Sequence, residues 1–378
     1  MLMTHRTRQI RGQASWHIFC SESHSKRYDA TLFLYQDHIM QQRHPDTQSP
    51  ASPTPVLVMA TPPVAADATR RRPEWSIGIY LGTSPWDFTS PMQIDNPVLT
   101  RWDVLDAPAA FVADPFMFRT AHTWYMFFEV VNAHTNKGEI GLACSADGMT
   151  WNYQQIVLAE PFHLSYPYVF PWNGEYYMIP ESHQAGAVRL YQARHFPDQW
   201  SYAATLLHSS FIVDASIFRY HDTWWLLAET NPHAKYDTLR LYYAKNLTGP
   251  WREHPHSPIV AGNAHIARPA GRVVVVDDCV IRYAQDCSPI YGSQVRAFVI
   301  TTLTTTRYQE RAPTDHPVLT GHGTGWNAIG MHHIDPYALA DGIWLACVDG
   351  FMWQKTDTVG DHMDGESFGS AEIYPPIH

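Results

Sequence analysis

The sequence predicts an all-β fold, a five-bladed β-propeller, and three observations carry the prediction. A hairpin-like unit recurs five times, anchored at Asp114, Tyr166, Asp214, Arg268 and Asp335, with spacings of 52, 48, 54 and 67 residues. Between anchors run strands of four to seven residues, rich in aromatic and β-branched types and separated by Gly, Pro, Asn and Asp. No stretch carries the amphipathic period of a helix of three or more turns. A blade of four antiparallel strands needs a repeat of about 40–50 residues. A β-sandwich would use the same strands, but it gives no reason for acids to recur in phase.

Composition narrows the possibilities. A chain of 378 residues is long enough for an ample core, and 14 Trp, 20 Tyr and 16 Phe supply one. The net charge of −10 argues against a nucleic-acid partner, which would require a concentrated basic surface. The one basic run, Arg70-Arg71-Arg72, lies in a linker-like stretch. Five cysteines without framework spacing point to a reducing compartment. No segment approaches the ~20 apolar residues of a membrane span, and Met1 to Lys26 lacks the apolar run of a signal peptide. The expected location is therefore the cytoplasm. The 22 histidines are scattered and show no zinc-type spacing.

Taken in order, residues 1–43 form a poorly structured N-terminal segment with one strand-like run, Ala30 to Tyr35. Residues 44–74 read as a Pro-rich linker, with seven prolines from His44 to Pro73 and an apolar island, Val56 to Ala60, that could dock as an edge strand. The propeller is assigned to residues 75–370 and opens with the strand Trp75 to Tyr80. In the second unit Asn173-Gly174 suits a two-residue hairpin turn. Pairing about it sets Tyr166 opposite Glu181. The same symmetry sets Asp114 opposite Glu129 and Asp214 opposite Glu229. In the fifth unit, a turn at Asp341-Gly342 sets Asp335 opposite Val348. The fourth unit has Arg268 and no matching glutamate. Trp124, Trp224, Trp225 and Trp344 are read as wedges between blades.

The innermost strands of a propeller converge, so the five anchors are expected to share one funnel. Facing carboxylates suit glycosidic-bond chemistry, with one acid protonating the leaving oxygen and another serving as base or nucleophile. A like-charged neighbour raises one pKa, as a general acid requires. Tyr166, Tyr168, Tyr337 and Trp326 are candidates for stacking on sugars. Each acid also has a structural reading, since Asp-Pro at a strand start is ordinary turn chemistry. His333 and Asp335 fall on one face by period-two alternation. They could hold a divalent metal, although a hydrogen-bonded His pair is the commoner outcome, and no cofactor is otherwise expected.

The five phased units and the Ala113-Asp-Pro-Phe116 start resemble the five-bladed glycoside hydrolase superfamily of arabinanases, xylosidases and invertases. More closely, Phe111-Val-Ala-Asp-Pro-Phe116, Pro180-Glu-Ser182 and Gly330-Met-His-His-Ile-Asp335 resemble the N-terminal domain of glucosamine inositolphosphorylceramide transferases and its bacterial relatives. The resemblance implies that Asp114 is base or nucleophile and that Asp214 orients substrate and tunes the acid. The hydrolases take their general acid from the fourth blade, where this chain has Arg268. Glu229 or Glu181 would then replace it, and Arg268 would grip a phosphate or carboxylate. The expected ligand is a carbohydrate or activated sugar, touched also by Glu129, His333, Asp335 and Trp326. The leading expectation is glycosyl transfer in cell-surface glycan or glycolipid assembly. The alternatives are hydrolysis on the same residues and a non-catalytic sugar-binding or scaffold propeller.

Overall fold

Alternation along the aromatic strands determines how the blades stack. In Trp124–Asn132, Trp124, Met126, Phe128 and Val130 share a core cluster with Ile77, Ile79 and Cys347, whereas Phe127 packs with Val169, Met178 and Tyr191. In Thr223–Glu229, Trp224 and Leu226 face Ile179 and Leu190, while Trp225 and Leu227 face Val280 and Ile300. Each strand therefore buries both faces, one against the preceding blade and one against the next. Burying a large apolar side chain stabilises the fold by about 1.5–3 kcal/mol, and the four wedge tryptophans are all buried.

The protein, a computed structural model, is described over residues 72–354. The expected N-terminal segment, all of the linker before Arg72, and the stretch from 355 to 370 lie outside the described residues. Five antiparallel sheets surround a common axis. Blade 1 runs Ala109–Arg119, Trp124–Asn132, Lys137–Ser145 and Asn152–Leu158 from inside out. Blade 2 follows with Ser165–Trp172, Glu175–Glu181, Ala187–His195 and Gln199–His208. Blade 3 comprises Val213–Tyr220, Thr223–Glu229, Leu239–Ala244 and Arg252–Glu253. Blade 4 has its inner edge split into Arg268–Pro269 and Val274–Val276 and continues through Cys279–Asp286, Gln294–Thr304 and Arg307–Arg311.

Blade 5 joins the two ends of the described chain. Its inner strands are Ile334–Ala338 and Trp344–Gln354, and its outer pair is Arg72–Ser84 and Asp87–Thr89. The closing register runs unbroken from Arg72 opposite Gln354 to Gly82 opposite Trp344. Arg72, Pro73 and Glu74, which composition places in the linker, are thus part of a strand. Helical structure among the described residues is limited to three 3-10 turns.

The expected pairing holds near each hairpin turn and then slips by one residue. Arg119 pairs with Trp124, Trp172 with Glu175 and Tyr220 with Thr223, as the turn symmetry requires. At the far end, however, Ala113, Ser165 and Val213 oppose Glu129, Glu181 and Glu229. A β-bulge inserts one extra residue into each inner strand. It leaves Asp114, Tyr166 and Asp214 with left-handed backbones at φ of 51°, 46° and 52°. In blade 5 the turn is the longer Ala340–Gly342, and Asp335 opposes Cys347 instead of Val348.

Candidate functional site

The bulges lie at one end of the propeller, where the second strands finish. Each second strand carries an acid at the same level. Glu129, Glu181 and Glu229 do so in blades 1 to 3. One step beyond the pair Arg268–Gln285 lies Asp286, and one step beyond Ile334–Val348 lies Asp349. Blade 4 has no glutamate at this level, as expected, and supplies the aspartate Asp286 instead. Four of the five bind histidine: His163 Nε2 to Glu129 at 3.0 Å, His183 Nδ1 to Glu181 at 2.6 Å, His265 Nδ1 to Asp286 at 2.8 Å and His332 Nδ1 to Asp349 at 2.8 Å. Glu229 has no such partner; its Oε1 accepts from the amides of Asn231 and Thr238, and its Oε2 is buried without one.

Between these acids lie the bulge residues. Asp114 is buried, and its backbone amide donates to Asp349 Oδ2 at 3.0 Å. Asp214 accepts at Oδ2 from Arg268 Nε at 2.6 Å and from Gln285 Nε2 at 3.2 Å. The Arg268 guanidinium is flanked by the rings of Tyr236 and Tyr291, 4.5 and 5.0 Å away. A non-glycine residue in the left-handed region costs on the order of 1–3 kcal/mol and persists only where its surroundings enforce it. Here the same strain recurs in three blades and turns two carboxylates into one cluster.

The environment sorts the acids. Burial pushes Glu229 up to about 7, against the pull of the Asn231 amide and Arg268. Burial also works to raise Glu181, but the His183 hydrogen bond and charge bring it below the ordinary carboxylate value. Asp114 is raised well above that value by burial, with Glu129, Asp349 and Asp214 adding to the effect and His332 opposing it. For Asp214, burial raises the carboxyl and Arg268 counteracts it. His163 and His183 are both raised, His183 chiefly through its bond to Glu181 and His163, despite burial, through Glu129.

Of the residues singled out from sequence, Asp114, Glu129, Glu181, Asp214, Glu229 and Arg268 lie close enough to feel one another's charge. Of the other four ligand candidates, His333 borders the cluster, with Nδ1 3.6 Å from Asp114 Oδ1, and Tyr166, Asp335 and Trp326 serve other ends. Tyr166 is buried, and its hydroxyl accepts from the Gly271 amide at 2.6 Å, meets Ser216 Oγ at 2.8 Å and lies 2.9 Å from the Gly271 carbonyl. It locks blades 2, 3 and 4 together and offers no face to a ligand. Asp335 sits one residue pair deeper, level with Phe116 and Tyr168, where Arg272 binds both its oxygens and the Met117 amide donates to it at 2.6 Å. His333 is fully buried between Phe116 and Tyr166. Trp326 packs on Gly78 and Gly350 of blade 5, where an added Cβ would come within 2.7 and 3.0 Å of the indole.

The expected metal pair is therefore not a pair. The group that comes together is Asp114, His332 and Asp349, whose ligand atoms lie within 4.8 Å of one another. Hydrogen bonds already use both Asp349 oxygens and His332 Nδ1. Two protein donors remain, fewer than the three or four a zinc ion takes from protein.

The fold and cluster define a class: a five-bladed β-propeller with buried acids and histidines gathered at one end of its axis. Residues 69–351 match the family described as glucosamine inositolphosphorylceramide transferase 1, N-terminal, and the chain belongs to that family. It is 36% identical over 297 residues to glucosamine inositolphosphorylceramide transferase 1 of Oryza sativa subsp. japonica, covering 73% of this chain and 40% of the relative. The corresponding protein of Arabidopsis thaliana is 33% identical over 296 residues, covering 73% and 39%. The chain thus spans about two fifths of the length of these relatives. Among solved structures, the α-L-arabinofuranosidase of Podospora anserina in complex with cellotriose aligns with a TM-score of 0.48 at 11% identity, covering 64% of this chain and 91% of that one.

Proposed function

We propose that the chain is a carbohydrate-active domain working on a glycosidic bond at the acid cluster, by glycosyl transfer in glycolipid assembly with activated sugars of the cytoplasm as donors. One observation carries this reading: two acids in equivalent positions are driven in opposite directions. Glu229, raised to about 7, holds a proton near neutral pH, whereas His183 keeps Glu181 ionised. Pairs of carboxyl groups pushed apart by their surroundings mark acid and base assignments. Glu229 is then the general acid, Asp114 the base or nucleophile, and Asp214 with Arg268 the pair that fixes the ligand between them. The names of the plant relatives supply the direction, a sugar passed to a glycolipid.

Hydrolysis is the second reading, and the Arg268–Asp214 bond favours it. An arginine already bonded through Nε to a carboxylate has only its terminal nitrogens left for a ligand's phosphate. The deciding experiment assays sugar nucleotides and aryl glycosides with wild type, Asp114→Asn, Glu229→Gln, Glu181→Gln and Arg268→Ala. Removal of a general acid or base costs about 10²–10⁴-fold, so Asp114→Asn and Glu229→Gln should fall that far and Glu181→Gln much less. Turnover of aryl glycosides alone would support hydrolysis. Full turnover by Asp114→Asn on both substrate types would end either assignment.

A further inference from the structure

A base must be ionised to act, yet Asp114 is buried among acids. Glu129 faces it from the paired strand, with His163 behind; Asp214 faces it from blade 3, with Arg268 behind; Asp349, His332 and His333 face it from blade 5. Among the groups in this shell that can carry positive charge, His332 is held by contacts from several elements.

Three contacts fix the His332 ring. Its Nδ1 lies 2.8 Å from Asp349 Oδ1, and the same oxygen accepts the amides of His332 at 3.1 Å and His333 at 3.0 Å. Its face stacks on Trp75 with centroids 4.0 Å apart and planes 28° apart. Tyr291 meets it edge-on at 5.5 Å. Gly292 passes close on the remaining side, where a Cβ would come within 2.9 Å of His332 Cβ and 3.3 Å of its Cδ2. Asp349 accepts three backbone amides, from Asp114, His332 and His333, and as a carboxylate it only accepts, so the Nδ1 facing it carries a proton. That leaves Nε2, which lies 3.8 Å from Asp114 Oδ1. With carboxylates on both sides, the second proton on the ring is favoured.

We propose that His332 is the positioning residue for Asp114: Asp349 and Trp75 hold its imidazolium so that Nε2–H faces the Asp114 carboxylate and favours its ionised form. The role of Asp114 as base rests on the reading above; the proton linkage itself does not. The arrangement also gives the closing strand a part in the site, since Trp75 belongs to the outer half of blade 5. When Asp114 accepts a proton from an attacking hydroxyl, its charge goes from −1 to 0 and the imidazolium stays as it was. His332 sets the affinity of Asp114 for that proton and is not consumed.

The test needs no substrate. With ¹⁵N-labelled histidine, the wild-type protein should show His332 protonated at both ring nitrogens at pH 7. With ¹³C-carboxyl aspartate, the Asp114 signal (assigned by its loss in Asp114→Asn) should titrate about 1–3 pH units higher in His332→Gln than in wild type, the range an adjacent cation usually produces. Asp349→Asn should lower the protonated fraction of His332. If the variants do not fold, the wild-type ¹⁵N shifts still decide, because a neutral His332 across the range in which Asp114 is ionised overturns the proposal. An Asp114 titration unchanged in His332→Gln overturns it as well. Intact linkage with no turnover on any sugar would instead count against the catalytic reading alone.

Discussion

Tyr166 behaves as a keystone although it stands in phase with two acids. Its hydroxyl receives the Gly271 amide, a buried donor from another blade. Tyr166→Phe leaves that amide unsatisfied, and the expected loss is about 1–3 kcal/mol in urea unfolding with an unchanged m-value. Gly271→Ala should cost more. Its backbone sits at φ +129°, and a Cβ would come 1.8 Å from the Ile334 carbonyl. If Tyr166→Phe were neutral in stability, the keystone role would fail and a ligand-facing role would return. The anchor spacing in the sequence identifies the position but not its occupant's task, because a tyrosine and an aspartate at one bulge share a backbone geometry while their side chains serve different ends. His332 and Asp349 were harder to read. His332 lies in the motif Gly330 to Asp335, yet only the register one step past Ile334 and Val348 brings Asp349 onto the ring of second-strand acids.

At the scale of strands, turn symmetry fixes the pairing until the bulge, and no residue type announces a bulge in advance. That is why Asp114 and Asp214 were expected opposite Glu129 and Glu229 and instead stand one place past the paired residue. In blade 5 the register is unbroken and the longer turn alone shifts the pairing, which sets Asp335 opposite Cys347 and within reach of Arg272. That arginine also donates to the carbonyls of Val169 at 2.9 Å and Met117 at 3.3 Å, so one side chain ties the inner strands of blades 1, 2 and 5. Removing one partner of a buried pair costs about 3–5 kcal/mol, whereas replacing both by apolar groups is often nearly neutral. Arg272→Met should therefore destabilise by about that amount, and the double variant with Asp335→Leu should recover part of it. Thermal or urea unfolding of the two variants side by side checks this; a double variant as unstable as the sum of its singles would show that the strand ties, not the buried charge, dominate.

Across the whole molecule, five blades were legible because each must bury two faces, which leaves an aromatic signature at every second strand. Closure was less so, since the strand that completes blade 5 lies far from its partner in sequence and carries no mark of pairing. The cluster's proton balance belongs to this scale too, because it sums contributions from every blade. Glu229 has its folded pKa raised from an ordinary 4.5 to about 7. Its contribution to stability is then fully present below 4.5 and is lost as pH rises through about 7. His333 has the opposite shift, lowered by burial from 6.5 to about 3. Its contribution is present above 6.5 and is lost as pH falls toward 3. His163 and His183, both raised, lose theirs as pH rises, in wild type and variants alike. Comparing Glu229→Gln with wild type therefore isolates one group. Between pH 4.5 and 7 the variant should be spared a loss on the order of 2–3 kcal/mol, taking about 1.36 kcal/mol per pKa unit. Urea unfolding at pH 5 and pH 7 reads this as a midpoint that falls less in the variant. Parallel pH dependence in the two proteins would mean that Glu229 is ionised throughout, and its assignment as the general acid would fall with it.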